Sequence, residues 1–225
     1  MTKNVRNAAA LVIALLCASI ASATIVQTGP GVALQDLIDG TATITSGNLT
    51  FNSFGYAGTG DVPDATGINV IPIEDCDGNV GVRFQGGFLD LPGNGASDAL
   101  ISYNVVAPGP LLTGAHLFAN TQVSGSGGLA QITESFLPPF TDISLDVFDN
   151  GTVQQLADSV KFNTSADYAG PVTTLPVQKD ILLLAADDGV SATISLVDQV
   201  YHQVPEPSAL ALILVGLVAF ARRRR

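Results

Sequence analysis

Ala-Leu-Ile-Ser-Tyr-Asn-Val-Val, at residues 99–106, is the stretch that most clearly decides the fold. Ile101, Tyr103 and Val105 fall on one side of an extended chain, and the residues between them fall on the other. Because successive side chains of a strand point to opposite faces, this alternation predicts a β-strand with two distinct faces. Pro108-Gly109-Pro110 follows directly and predicts a firm break after the strand.

Similar short segments fill the middle of the chain, separated by turn residues about every 8 to 15 positions. Helical periodicity is confined to residues 32–38, where one or two turns of helix are expected to stop at Gly40. This pattern predicts an all-β fold, an antiparallel β-sandwich, with a β-barrel or jelly roll as the alternative. The other predicted strands are 42–45, 48–56, 68–73, 80–84, 111–123, 129–137, 143–148, 152–155, 160–163, 177–185 and 192–201.

Two connections carry specific turn chemistry. Residues 124–128, Ser-Gly-Ser-Gly-Gly, predict a flexible hairpin between strands 111–123 and 129–137. Asp149-Asn150-Gly151 predicts a tight turn into the strand at 152–155, because Asn and Gly accept the left-handed backbone that such turns need.

The C-terminus has three parts in order: Val-Pro-Glu-Pro-Ser at 204–208, an apolar run at 209–221, and four arginines at 222–225. A helix of the apolar run is roughly 20 Å long at about 1.5 Å per residue, short against a hydrocarbon core of about 30 Å. The arginines extend its reach and place their own end in the cytoplasm. We therefore expect a transmembrane helix at 209–221. The alternative is a buried helix followed by a basic tail that binds nucleic acid.

This tripartite tail resembles the PEP-CTERM sorting signal of bacterial proteins. The resemblance covers residues 204–225 and implies recognition by an exosortase, a membrane-embedded cysteine transpeptidase. It also implies that Pro205, Glu206 and Pro207 are the processing motif, on which that enzyme acts. The protein is then exported, transiently anchored in the membrane, and delivered to the cell surface or an extracellular polysaccharide matrix.

The N-terminus independently indicates export. Lys3 and Arg6 precede an apolar run at 8–20, and Ala-Ser-Ala at 21–23 forms a small-residue cleavage site. These features predict a signal peptide at 1–23, a sandwich ectodomain at 24–203 and the sorting signal at 204–225. Cys17 suggests a lipoprotein anchor, but Leu16 before it is too bulky for that cleavage site.

The chain is strongly acidic once the signal peptide, the C-terminal apolar run and the arginines are set aside. Residues 24–207 hold three basic residues against 20 acidic ones, a formal charge of −17. With no basic patch to release counterions, this region is expected to avoid nucleic acid and anionic membrane surfaces. Solubility outside the cell explains such a charge as well as a cation site does.

Few residues suit catalysis. His116 and His202 are far apart in the sequence and lack a second histidine or cysteine at metal-ligand spacing, so no ordinary zinc site is expected. His116 is expected to point outward from its strand. Cys76 lies among carboxylates, which disfavour a thiolate, and is expected to be a turn residue. No Gly-x-Ser-x-Gly elbow or phosphate-binding loop is present. We expect no enzyme activity.

Calcium is the one cofactor that the sequence suggests. Asp75, Asp77 and Asn79 alternate around Gly78, and their oxygens are the ligands that a hard cation prefers. The position of the bidentate Glu of a twelve-residue calcium loop is Gly86, however, and turn-forming Asp and Asn explain the same pattern. The weaker calcium candidates are Asp146, Asp149, Asn150, Asp187 and Asp188.

Two functions follow as expectations. The first is a non-catalytic surface or matrix protein, with the sandwich as a stable acidic spacer. The second is a carbohydrate-binding module or, less favoured, a polysaccharide-active enzyme. Sugar rings stack on aromatic side chains, and the chain has no Trp and four Tyr. Tyr56, Tyr103 and Tyr168 are the predicted surface aromatic residues.

Overall fold

The computed structural model describes residues 25–109, 112–138, 143–162 and 172–203. The predicted signal peptide, Tyr168 and the sorting signal at 204–225 lie outside these residues. The described strands are β1 (Val26–Gln27), β2 (Val32–Ala33), β3 (Ile44–Ser46), β4 (Leu49–Thr59), β5 (Asn69–Glu74), β6 (Val80–Asp90), β7 (Ser97–Val106), β8 (Leu112–Ser124), β9 (Gly128–Phe136), β10 (Ser144–Asp149), β11 (Gln154–Gln155), β12 (Ala157–Lys161), β13 (Thr174–Ala185) and β14 (Ser191–Gln203).

The strands form two seven-stranded sheets that face each other. The first, sheet A, has the order β1-β5-β6-β14-β8-β12, with β2 also paired to β5. The second, sheet B, has the order β11-β10-β9-β13-β7-β4-β3. Neighbouring strands run antiparallel in both sheets. The predicted antiparallel β-sandwich is confirmed.

The core lies between the inner faces of the two sheets, as the alternation in β7 requires. Ile101, Tyr103 and Val105 are buried, whereas the residues between them lie partly exposed on the outer face. The ring of Tyr103 lies 5.5 Å from that of Phe84 in sheet A and 6.2 Å from that of Phe51 in sheet B. These aromatic contacts bring apolar surface from both sheets out of water, which is the main favourable term in folding.

Helix α1 (Leu34–Ile38) closes one end of the core with Leu34 and Leu37, and its place agrees with the sequence prediction. A single 3₁₀ turn (Ala65–Gly67) follows β4. Within the described ranges, no helix has the length and apolar character needed to cross a membrane.

The predicted hairpin between residues 111–123 and 129–137 is wrong. Strand β8 pairs with β14 and β12 in sheet A, whereas β9 pairs with β13 and β10 in sheet B. Gly125 and Gly127 adopt left-handed backbone, with φ of 89° and 85°, and the glycine-rich connection passes from one sheet to the other. A flexible linker permits both a hairpin and a crossing between sheets. Here the crossing forms because β8 pairs with β14 in sheet A and β9 pairs with β13 in sheet B.

The turn at Asp149-Asn150-Gly151 is confirmed as the connection between β10 and β11. The Asn150 side-chain oxygen accepts hydrogen bonds from the backbone nitrogens of Thr152 and Val153 at 3.0 and 2.7 Å. Gly151 has a φ of 76°, which a residue with a Cβ adopts only with strain.

Candidate functional site

The chain leaves the sandwich from the middle of sheet A. Strand β14 lies between β6 and β8 and ends at Gln203. The predicted processing residues Pro205, Glu206 and Pro207 follow it and lie outside the described residues.

Arg83 of β6 and Asp198 of β14 stand opposite each other near this end. Arg83 Nε and its terminal nitrogen donate to the two Asp198 carboxylate oxygens at 2.6 and 2.8 Å, a bidentate pair.

A cleft of about 310 Å³ opens on the outer side of sheet A beside this exit. His202 lies in the wall of the cleft and pairs with Gly114 of β8. His116 lies two residues after Gly114 on β8, on the same outer face. Burial lowers the pKa of His116, and a positive charge on His202 lowers it further. The outward position expected for His116 is confirmed. The cleft is lined by Thr113, Ser159, Val160, Lys161 and His202.

The two histidines are brought together by strand pairing and not by sequence spacing, so their proximity cannot be predicted from the sequence. In the part of the chain that the structure describes, no group of three or more His, Cys, Asp or Glu side chains could hold a metal ion. A pair of imidazoles beside Ser159 can bind a polar ligand by hydrogen bonds.

The acidic turn between β5 and β6 is organised by its first residue. One carboxylate oxygen of Asp75 accepts from the backbone nitrogens of Asp77 and Asn79, each at 2.9 Å. Its other oxygen accepts from the Asn79 side-chain nitrogen at 2.9 Å. Cys76 lies exposed in this turn. The geometry explains why Asp and Asn occur here, because they close the turn.

Calcium binding by Asp75, Asp77 and Asn79 stays a prediction. A bound cation would raise the melting temperature at millimolar calcium, and Asp77→Asn would abolish that rise. This variant preserves the turn, because Asp75 bonds the backbone of residue 77 and not its side chain. A melting temperature that is unchanged by calcium would remove the site.

Two carboxyl groups meet on the outer face of sheet B. Asp98 of β7 pairs with Leu182 of β13. Asp180 lies two residues before Leu182 on β13, on the same face of the sheet. Partial burial raises the pKa of Asp180, and the charge and hydrogen bond of Asp98 raise it further. A glycosidase needs its two carboxyl groups separated by about 5 to 10 Å so that a sugar or water fits between them. Carboxyl groups in hydrogen-bond contact do not have that arrangement.

Asp180→Asn is expected to stabilise the sandwich slightly at pH 7, by about 0.5 kcal/mol after solvent screening. A carboxyl with a raised pKa in the folded state costs stability as pH rises, since the unfolded chain ionises first. The gain should therefore vanish at pH 3, where the Asp180 carboxyl is protonated in both the folded and the unfolded chain. Urea unfolding at the two pH values measures it. Asp188→Asn, at an exposed turn position, is the charge-matched control, and an equal effect of both variants would contradict the pair.

The core contains a polar cluster that the sequence analysis missed. Lys179 of β13 and Glu134 of β9 stand directly opposite each other on the inner face of sheet B, and neither is exposed. Lys179 Nζ contacts Glu134 Oε2 and donates to Gln199 Oε1 of sheet A at 2.6 Å. The hydroxyls of Tyr103 and Tyr201 are joined at 2.8 Å and also bridge the sheets. A signal existed, because Lys179 and Glu134 each occupy an inner position in an alternating strand.

Two of the three predicted sugar-stacking residues, Tyr56 and Tyr103, do not form an exposed platform. Tyr103 was predicted on the surface, but this is wrong, because 2% of it is exposed and its ring packs in the core. Tyr56 is partly buried and its hydroxyl donates to the Pro63 carbonyl oxygen. Tyr168 lies outside the described residues.

The described fold is similar to several solved carbohydrate-binding proteins. The module TmCBM61 in complex with beta-1,4-galactotriose is 13% identical, with 68% of this chain and 89% of that chain covered and a TM-score of 0.35. The xylan-binding module CBM15 is 16% identical, with 73% and 97% covered and a TM-score of 0.30. Xylanase10C from Cellvibrio japonicus, in complex with xylopentaose, is 15% identical, with 71% and 28% covered and a TM-score of 0.29. Similarities this low carry no ligand from those proteins to this chain.

In sequence, no curated protein matches the chain. The family model for the PEP-CTERM protein-sorting motif matches residues 203–225 of the chain. The match begins at the last residue of β14 and includes Pro205, Glu206, Pro207 and the arginine cluster. The chain therefore carries a PEP-CTERM protein-sorting motif at residues 203–225.

Proposed function

We propose that this chain is an exported, non-catalytic component of the cell surface or extracellular matrix. The observation that carries the proposal is the sorting motif at residues 203–225, which directly follows the last strand of the sandwich. An exosortase-type membrane transpeptidase is the partner that acts at Pro205, Glu206 and Pro207. The segment 209–221 holds the chain in the membrane until that step, and the sandwich is then released to its place outside the cell.

The described surface supports a structural role. In the described residues, no third metal-ligating group accompanies the pair of histidines on sheet A. On sheet B, the charge and hydrogen bond of Asp98 raise the pKa of Asp180, which indicates that these two carboxyl groups are in contact. The net charge of −17 over residues 24–207 keeps the sandwich soluble and apart from anionic surfaces. These features favour a stable acidic spacer.

Processing is tested by determining the mass of the chain from a host that carries an exosortase. The secreted form is expected to lack residues 209–225, whereas a triple variant, Pro205→Ala with Glu206→Ala and Pro207→Ala, should stay membrane-bound with its tail intact. Glu74→Gln, which alters an exposed glutamate of the sandwich, is the matched control and should be processed normally. An intact, membrane-bound tail on the unaltered chain in that host would contradict the proposal.

Binding of extracellular polysaccharide is the alternative to a purely structural role. Burial of Tyr103 removes one of its three aromatic candidates. A glycan array separates the two functions, because selective binding to one glycan class would replace the spacer role. Absence of binding would leave the spacer role standing.

A further inference from the structure

Three side chains with complementary chemistry share one fully buried site between the sheets. Lys179 supplies an amine, Gln199 a carboxamide and Glu134 a carboxyl group, and none of the three is exposed. Lys179 Nζ lies 2.6 Å from Gln199 Oε1 and also contacts Glu134 Oε2. The amine is therefore held against the carbonyl group of the amide with a proton acceptor beside it.

The hydrogen bonds of this cluster are incomplete. Glu134 Oε1 and Gln199 Nε2 are buried and have no hydrogen-bond partner among the described residues. An ion pair that serves only for stability normally has its remaining polar atoms satisfied, because each orphaned atom carries a desolvation cost. Here one acceptor atom of the acid and the nitrogen of the amide have no protein partner, so the cluster costs more stability than a fully satisfied ion pair would.

Burial also favours the protonation states that acyl transfer needs. It lowers the pKa of Lys179 and raises that of Glu134, and in each case the charge of the partner opposes the shift. A neutral amine is a nucleophile, whereas an ammonium group is not. A carboxyl group in contact with the amine can take the proton that the amine loses and pass it to a leaving group.

We propose that Lys179 and Gln199 form an intramolecular isopeptide bond, with Glu134 as the catalytic proton carrier. Lys179 Nζ attacks Gln199 Cδ, and the Nζ–Cδ bond forms as the Cδ–Nε2 bond breaks. The protonated Glu134 carboxyl gives its proton to Nε2, which leaves as ammonia, and takes a proton from Nζ, so Glu134 ends the step protonated as it began. One amine and one amide become one substituted amide and ammonia, so the atoms balance and no oxidant, reductant or cofactor is needed.

The bond would join the two sheets covalently. Lys179 lies on β13 of sheet B, and Gln199 lies on β14 of sheet A. The chain holds two cysteines, one of them in the predicted signal peptide, so a disulfide within the mature sandwich is not available to it. An isopeptide bond would supply that type of constraint by different chemistry. This inference is independent of the proposed sorting function, because it concerns the interior of the sandwich.

The sequence offers a direct test by peptide mapping of the full chain. An endoproteinase that cuts before aspartate releases a peptide ending at Lys179, because Asp180 follows it, and another beginning at Asp198. After denaturation and digestion, we expect these two peptides as one product, lighter than their sum by the mass of one ammonia. Recovery of both peptides unlinked and with full mass would overturn the proposal. A product that lacks one water and contains the Glu134 peptide would overturn the choice of Gln199 as partner.

Variants test the role of each group. Lys179→Arg should yield no linked product, and Glu134→Gln should yield none while circular dichroism shows a folded sandwich. Lys161→Arg, an equivalent exchange on β12, is the matched control and should link fully. Glu134→Asp, which keeps a carboxyl with a shorter reach, should link more slowly in protein harvested at intervals after synthesis. Linking of Glu134→Gln or Glu134→Asp at the normal rate would overturn the role of Glu134, whether or not the other variant folds.

Discussion

Gly81→Ala is expected to prevent the sandwich from folding. Gly81 of β6 lies opposite Val200 of β14, where the two strands come unusually close. A Cβ atom at position 81 would lie 1.7 Å from the Gln199 carbonyl oxygen and 2.7 Å from Val200 Cα. These are backbone atoms of a central strand, so no side-chain rotation relieves the overlap. The strand would have to shift and break its pairing with β6.

The expected loss is more than about 4 kcal/mol, which belongs to the rare severe class of single substitutions. A typical domain has about 5–15 kcal/mol of stability in total, so little folded protein would remain. Soluble yield and the urea midpoint measure the effect. Gly87→Ala on the same strand is the matched control, since a Cβ there meets no atom within 4 Å. A Gly81→Ala midpoint close to that of Gly87→Ala would show that β14 can move aside.

Lys179→Met is expected to be the second most damaging change. It leaves Glu134 buried without the Lys179 nitrogen that pairs with it, and removing one partner of a buried pair costs about 3–5 kcal/mol. Because burial raises the folded-state pKa of Glu134, the folded chain takes up a proton before the unfolded chain as pH falls. The penalty should therefore be largest at pH 7 and shrink as pH approaches the ordinary glutamate pKa of 4.5. Urea unfolding across this range measures it.

The double variant Lys179→Met with Glu134→Leu is the control for the charge effect. Replacing both partners by apolar groups is often neutral, so it should recover much of the loss at pH 7. The proposed isopeptide bond between Lys179 and Gln199 closes a loop of about twenty residues. The double variant cannot form this bond. By analogy with a disulfide, it should then remain roughly 3 kcal/mol less stable. Equal damage by the single and double variants would contradict the charge argument.

Local patterns predicted the strands but not their partners. The alternation of Ile101, Tyr103 and Val105 correctly placed one buried face on β7, because that pattern depends on the strand alone. The same alternation puts Tyr103 beside Ile101, so its assignment to the surface conflicted with the pattern that predicted the strand. Residues 124–128 permitted two connections, and the choice between them lies in contacts with β13 and β14, far along the chain.

The interior cluster shows the same limit at the level of single residues. The inward positions of Lys179 and Glu134 can be read from each strand separately. Their meeting depends on the register between β9 and β13, and their contact with Gln199 depends on how the two sheets stack. The proximity of His116 and His202 likewise arises from the pairing of β8 with β14. Contacts between side chains on different strands therefore cannot be predicted from their spacing in the sequence.

The central position of β14 has a mechanical consequence. A tensile force applied to the chain at residue 203 acts along a strand that is hydrogen-bonded to β6 on one side and β8 on the other. Hydrogen bonds of an antiparallel ladder lie perpendicular to the strands, so the force shears many of them at once and does not peel them singly. An isopeptide bond at Gln199, four residues before that point, would transfer the tension to β13 in the opposite sheet. A sandwich tethered through this end would thus resist extraction by flow, because the load falls on a strand that is paired on both sides.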